Sequence, residues 1–401
     1  MKRHVGFLIQ VGRLAAAILV FGIIIMVHEL GHFIAAKCMG VKVNEFSLGM
    51  GPKLLKFGKK ETQYTLRLFP IGGYCAMEGE DSAGGGEVRL ADKEAPPQQD
   101  KEAGSADAAS LPPDPRAFNQ KKVWRRMIII LAGPVMNLVL GFVLLIAYYG
   151  FCMLPDENGK VQFSSTTISV LNEDASSYQT GLRPGDTILK VDGKTVFTDR
   201  DLAMLLQSDE DGVFDMEVRR EIDGKRQKVK LEGVTFEIVT EDDGTRYLQY
   251  DFYVQGIPQT FTSTIVQSAK MECTVSVLIW RTLGGMLTGQ YGLNDLSGPV
   301  GTVDAIGDVV VDAAQQEHWQ IGLGNVLMLV VLISVNVGIF NLLPIPALDG
   351  GRFLFLLIEL IFRKPVPPKY EGIIHAIGLL LLFGLIILVT FSDIIKLFHS
   401  I

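Results

Sequence analysis

The sequence predicts a polytopic α-helical membrane protein with about four transmembrane helices, a membrane-associated β-hairpin region and one extracytoplasmic α/β module. Three observations carry this. Hydrophobic residues make up 48% of the 401 positions, more than a soluble chain of this size usually carries in such long stretches. They gather into four runs, roughly Leu14–Ala36, Met127–Met153, Val326–Leu343 and Ile373–Phe391. Each run is near the ~20 residues that cross about 30 Å of hydrocarbon at 1.5 Å per residue. Between the second and third runs lies a long turn-punctuated stretch of alternating polar and apolar residues, which reads as soluble structure.

The first run belongs to a segment, residues 1–42, that begins Met1-Lys2-Arg3 and could pass for a signal peptide. Its apolar core is too long, and no small-residue cleavage site interrupts it, so a retained first helix is expected. Residues 43–77 alternate apolar and polar positions with Gly and Pro punctuation, as in Thr62–Leu68, and are expected to form short strands and turns. Residues 78–120 are rich in Gly, Ala, Pro, Asp and Glu. Such a stretch buries too little surface to offset its ordering entropy and is expected to be a disordered acidic insert. The second helix falls in 121–153. The third, in 323–401 with the fourth, is the shortest, since Asn336 and Asn341 interrupt its run and Pro344 ends it.

Residues 164–235 are expected to fold as the α/β module. Thr166–Val170 and Thr187–Val191 read as strands, Asp192-Gly193 as a hairpin turn, and Asp199–Gln207 as a helix capped at Thr198 or Asp199. The following stretch, 236–322, reads as a linker containing an amphipathic helix, Phe261–Leu287. That helix either lies on the outer membrane surface or packs against the module.

Lysine and arginine near the helix ends set the expected orientation. Lys37, Lys42, Lys121, Lys122, Arg125 and Arg126 lie between the first and second runs, and Arg352, Arg363, Lys364 and Lys369 between the third and fourth. Both connections are therefore expected in the cytoplasm and the module outside, although Lys2, Arg3 and Arg13 pull the other way. The net charge of -7 argues against nucleic acid as a partner. Four cysteines, Cys38, Cys75, Cys152 and Cys273, show no CxxC pairing, so no disulfide scaffold is expected.

The chemistry-bearing signal is His28-Glu29-Leu30-Gly31-His32, inside the first apolar run. On a helix, His28 and His32 share one face and can reach a single zinc ion, with Glu29 beside them as a general base. Ionisable groups are costly in hydrocarbon, so their presence points to hydrolytic chemistry within the bilayer. A catalytic zinc takes three protein ligands and keeps one position open. Asp349, Glu359 and Cys38 are the candidates for the third. Asp349 is favoured because Pro344 and Pro346 disfavour continuous helix and Gly350-Gly351 allows a sharp turn.

HELGH in the first helix, Asn341-Leu342-Leu343-Pro344-Ile345-Pro346-Ala347-Leu348-Asp349-Gly350-Gly351 at the end of the third, and the module between helices two and three together resemble the site-2 protease family. The nearest likeness is to the bacterial intramembrane zinc metalloproteases that carry a PDZ domain, the regulator of sigma-E protease type. The resemblance implies Zn2+ bound by His28, His32 and Asp349, with Glu29 as catalytic base and Asn341 holding substrate or the developing oxyanion. Phe69-Pro70-Ile71-Gly72-Gly73-Tyr74 resembles the family's β-loop, which implies that Ile71, Gly72 and Gly73 hold an unwound substrate extended. Thr180–Asp186 is similar to bacterial PDZ domains, so the module either binds a chain terminus or excludes bulky substrates. The implied partners are the lipid bilayer and a transmembrane protein substrate, an anti-sigma factor or signal-peptide remnant. Ser297–Gly301 and Ala132–Asn137 also resemble the family and are assigned to packing and helix ends. Two rival readings remain: a membrane-anchored zinc protease acting on soluble chains with Glu359 as third ligand, and a non-enzymatic PDZ scaffold.

Overall fold

A computed structural model describes residues 2–58, 61–80, 114–207, 211–240, 246–292 and 296–399. The chain divides into two compact units, Met1–Gly141 with Gly285–Gln316 and Leu329–Ile401, and Phe142–Gly284 with Glu317–Met328.

Four helices are long and apolar enough to cross a membrane. They are α1 (Lys2–Cys38), α2 (Val123–Phe151), α7 (Trp319–Leu342) and α9 (Pro368–His399). Each begins earlier than its hydropathy run, because helix geometry continues through the polar residues that flank an apolar core. Arg13 of α1 does not stand alone as a basic flank. It pairs with Asp304 at 3.4 Å and Asp308 at 2.6 Å, both on α6 (Pro299–Gln315), a helix absent from the sequence expectation. An apolar cluster of Ala17, Ile24, Ile306 and Ile333 packs α1, α6 and α7 together.

The hairpin region matches its expected limits. β1 (Val43–Phe57) pairs antiparallel with β2 (Gln63–Met77). Both strands bend, so Glu45–Leu48 take partners from 73–76 and also from 63–66. Most of the expected acidic insert, 81–113, lies outside the described residues. Its flanks do not behave as disordered chain. Phe118 is 4% exposed and packs with Val43, Met77 and Ile129, and its N–H donates to Glu78 O at 2.7 Å. That aromatic side chain, the buried Ala117 and the Arg116–Glu61 ion pair tie this end of the segment into the core.

In the second unit the expected elements form where the pattern placed them. The strands are β3 (Gln162–Leu171), β4 (Thr187–Val191), β5 (Lys194–Thr195), β6 (Val213–Ile222) and β7 (Lys225–Thr235), with helices α3 (Ser176–Gln179) and α4 (Asp199–Gln207). Asp192 and Gly193 both take positive φ in the β4–β5 turn (48° and 73°), as a tight two-residue hairpin requires. A reciprocal cap starts α4: Asp201 N–H donates to Thr198 Oγ1 at 3.4 Å, and Asp201 Oδ2 accepts from Thr198 N–H at 3.1 Å. The sheet runs past the expected boundary at residue 235. After β8 (Ile238–Thr240) and β9 (Arg246–Leu248), β10 (Phe252–Pro258) returns to pair antiparallel with β3, giving the order β10-β3-β4-β6-β7.

Helix α5 (Phe261–Leu287) has the limits expected of it. It packs against the β-rich module: Thr274 Oγ1 donates to Asp201 Oδ2 at 2.7 Å, Arg281 reaches Thr195 O at 3.2 Å, and Met271, Val275 and Ile279 are buried. All four cysteines are free. The remaining helix, α8 (Asp349–Phe362), starts at the LDG aspartate.

Candidate metal centre

Helix α1 turns His28 and His32 to one face, as the i, i+4 spacing requires. Their Nε2 atoms lie 3.2 Å apart. Asp349, 317 positions further along the chain from His32, brings Oδ2 to 3.0 Å from His28 Nε2 and 3.3 Å from His32 Nε2. These three donors form a nearly equilateral triangle. Tetrahedral zinc holds its ligands at about 2.0–2.1 Å, which separates neighbouring donors by about 3.3 Å. The residues therefore fit the ion by donor type and spacing, and they are the one His, Cys, Asp and Glu cluster of this kind among the described residues.

The back of each imidazole is also fixed. His32 Nδ1 lies 2.9 Å from Ile129 O, an acceptor that requires the proton on Nδ1 and leaves the Nε2 lone pair for the cluster. His28 Nδ1 lies 3.3 Å from the fully buried Asn137 amide. Such outer partners set the tautomer and the ring orientation of metal-binding histidines. Asn137 and Ile129 belong to α2, which approaches closely because Gly31 and Gly133 carry no side chain. A Cβ on Gly31 would meet Ala132 O at 2.3 Å, and one on Gly133 would meet His32 Nε2 at 2.3 Å. Ala132–Asn137, assigned from the sequence to packing and helix ends, lies inside α2 rather than at its end, and what it packs against is the cluster itself, whose back wall it shapes. An Asn four residues after a Gly on an apolar helix is the signal that could have found it, because a buried amide needs partners.

The turn carrying Asp349 also differs from expectation. Gly350 and Gly351 are helical, and the residue with positive φ is Ala347, at 79°. The two glycines serve close approach instead, since their Cβ atoms would meet Leu343 O at 2.1 Å and Ile345 O at 2.4 Å. With no side chain in the way, the start of α8 tucks under the end of α7 and aims Asp349 back at α1.

Glu29, Asn341, Gly73 and the three cluster residues line one cavity of about 210 Å³. A Cβ on Gly73 would lie 3.4 Å from Glu29 Cγ, so β2 passes directly beside that glutamate. Gly72 takes φ 88°. The side chain of Ile71 lies outside the described residues. A second cavity of about 290 Å³ shares Glu80, Ile130 and Arg352 with the first. Glu359, the alternative third ligand, lines that second cavity and pairs with Arg126. Cys38 is exposed at the end of α1. Neither joins the triangle.

Comparison with known proteins agrees in kind. The profile of peptidase family M50 matches residues 16–385. The chain is 31% identical over 441 residues to the regulator of sigma-W protease RasP of Bacillus subtilis, covering 97% of this chain and 99% of that one. It is 32% identical over 439 residues to the zinc metalloprotease RasP of Bacillus licheniformis, covering 96% and 99%. It is 30% identical over 437 residues to the protein of the same name from Oceanobacillus iheyensis, again covering 96% and 99%. With the family profile spanning most of the chain, this protein belongs to peptidase family M50 and is an intramembrane zinc metalloprotease.

Proposed function

We propose that this protease cleaves a transmembrane segment of another membrane protein, with His28, His32 and Asp349 as zinc ligands and Glu29 as general base. The observation that carries the reading is the donor triangle, two of its three corners on a helix of membrane-spanning length and the third at the start of α8, with Glu29 lining the same cavity.

When bound, zinc supplies Lewis acidity that lowers the pKa of a water and polarises a carbonyl. The remaining work falls to the chain. Glu29 accepts the water's proton and returns it to the leaving amine. Asn341, across the cavity, offers an amide to the carbonyl oxygen as negative charge develops there. A helical substrate hides its peptide bonds in its own hydrogen bonds, so it must unwind first. The 72–74 stretch of β2 runs beside Glu29 and can pair with an extended segment by strand addition, with Ile71 and the small Gly72 and Gly73 at the contact. The adjoining cavity, with Glu80 and Arg352 on the wall it shares with the first, offers water a way in.

The sheet of the second unit, read as a PDZ-like module, either docks a chain terminus or excludes substrates with bulky outer domains. The positive-inside pattern puts the metal in the cytoplasmic half of the bilayer and this module outside. The name of the Bacillus subtilis relative refers to sigma-W, which favours an anti-sigma factor as substrate. A signal-peptide remnant is the second candidate, because both present a lone apolar helix.

The test is cleavage of a model single-span substrate in liposomes by wild type and Glu29→Gln. Wild type should cut within the span, and the variant should be slower by about 10²–10⁴-fold. Equal cleavage by both would contradict the role of Glu29. Cutting confined to soluble loops would contradict the intramembrane substrate.

A further inference from the structure

Helix α9 contributes no ligand, yet it carries a notch in which the ligand-bearing turn rests. Ala347, two residues before Asp349, sits in the left-handed region at φ 79°, a conformation that disfavours any side chain and persists only when its surroundings hold it. Its N–H donates to Nδ1 of His375 on α9 at 2.8 Å. That bond fixes the ring: Nδ1 accepts, and the proton on Nε2 points toward Glu371, one turn back on the same helix and 4.0 Å away. The ring also lies 5.4 Å from that of Phe355 on α8. One turn onward, Gly378 gives the backbone room. A Cβ there would meet Pro346 Cβ at 2.4 Å and Pro346 O at 2.7 Å.

We infer that His375 and Gly378 form a positioning notch on α9 that holds Pro346–Ala347 in its strained turn and so presents Asp349 to His28 and His32. The physical reason is local. A backbone N–H left unpaired in a partly buried turn is costly, and a positive-φ alanine relaxes toward ordinary conformations when its hydrogen bond is lost. Either change rotates the start of α8 and moves Oδ2 away from the two imidazoles. The inference rests on Asp349 acting as a zinc ligand.

The experiment compares zinc retention under chelator challenge, and proteolysis of a single-span substrate, for full-length wild type, His375→Leu, His375→Asn, Gly378→Ala and the control Asp349→Ala. Leucine fills the space without accepting a hydrogen bond, whereas asparagine places Oδ1 close to where Nδ1 was. His375→Leu should lose zinc faster by about 10–100-fold, the usual cost of removing a partner that orients a ligand. His375→Asn should recover most of that loss. If His375→Leu fails to fold, Gly378→Ala carries the test, because it displaces Pro346 and keeps the histidine; it should also shed zinc faster. Wild-type retention in His375→Leu or in Gly378→Ala overturns the notch, as does an asparagine variant no better than leucine. Wild-type zinc content in Asp349→Ala would instead overturn the ligand assignment itself.

Discussion

Asn137 stands directly behind His28, its amide 3.3 Å from Nδ1 of that ring. The Asn137 Oδ1 atom is buried and has no hydrogen-bond partner among the described residues. Amide oxygen and nitrogen exchange places by a simple flip. With the oxygen turned to the ring, His28 Nδ1–H donates to it, the orphaned acceptor is satisfied, and the Nε2 lone pair faces His32 and Asp349. Asn137→Leu keeps the volume and removes the acceptor. We expect zinc affinity to fall by about 10–100-fold, measured by competition with a chromogenic chelator, with the helices intact by circular dichroism.

Gly133 sets how near α2 can come to the two imidazoles. An added Cβ would lie 2.3 Å from His32 Nε2 and 2.8 Å from His28 Nε2. Those are the atoms that point at the ion, so the smallest side chain blocks the cluster. Gly133→Ala should abolish zinc binding and destabilise the packed helices by about 1–3 kcal/mol, the usual penalty for overpacking. Zinc content by elemental analysis and thermal unfolding in detergent check the two parts.

Asp393 of α9 caps α6 from outside. Its carboxylate accepts from Gly298 N–H at 3.2 Å and Gly301 N–H at 2.8 Å. Both glycines are needed, because a Cβ at either position would meet the carboxylate. This explains the Ser297-Gly298-Pro299-Val300-Gly301 sequence as a helix start with a borrowed cap. Asp393→Ala should cost about 0.5–2 kcal/mol, the range for losing an N-cap, read as faster hydrogen exchange in 299–304 with zinc content unchanged.

Glu272 gives the second unit a pH dependence. Burial pushes its carboxyl up from 4.5 to about 7, and neither oxygen has a hydrogen-bond partner among the described residues. Between those two values the folded chain keeps a proton that the unfolded chain has lost. Stability therefore falls as pH rises from about 4.5 to about 7, and is level on either side. Glu272→Gln removes the slope. Hydrogen exchange of α5 should be faster at pH 8 than at pH 5 in wild type, after correction for intrinsic rates, and equal at both in the variant.

The sequence showed most clearly what depends on short-range period. His28 and His32 are one helical turn apart, so their convergence could be read without a fold. Asp192-Gly193 and Thr198–Asp201 likewise announce a turn and a cap from neighbours alone. What stayed hidden depends on distant chain. The pairing of β10 with β3 joins residues more than 80 positions apart, and no local pattern marks Phe252 as a partner for Leu171. Asn137 and Gly133 read as ordinary helix residues until α1 is laid against them. Ala347 reads as filler between a proline and a leucine, and only the α9 histidine reveals the strain it holds. Asp349 lay between these cases: Pro344, Pro346 and the glycines marked a turn, but its direction came from the carbonyls that crowd those glycines.

The central claim is a zinc centre made by two neighbouring histidines and one distant aspartate. The most direct measurement is zinc stoichiometry of the purified full-length protein, wild type beside Asp349→Ala and Glu29→Gln. About one zinc per chain is expected in wild type and in Glu29→Gln, and a large loss in Asp349→Ala, as for any three-ligand catalytic site stripped of one ligand. Undiminished zinc in Asp349→Ala would contradict the account.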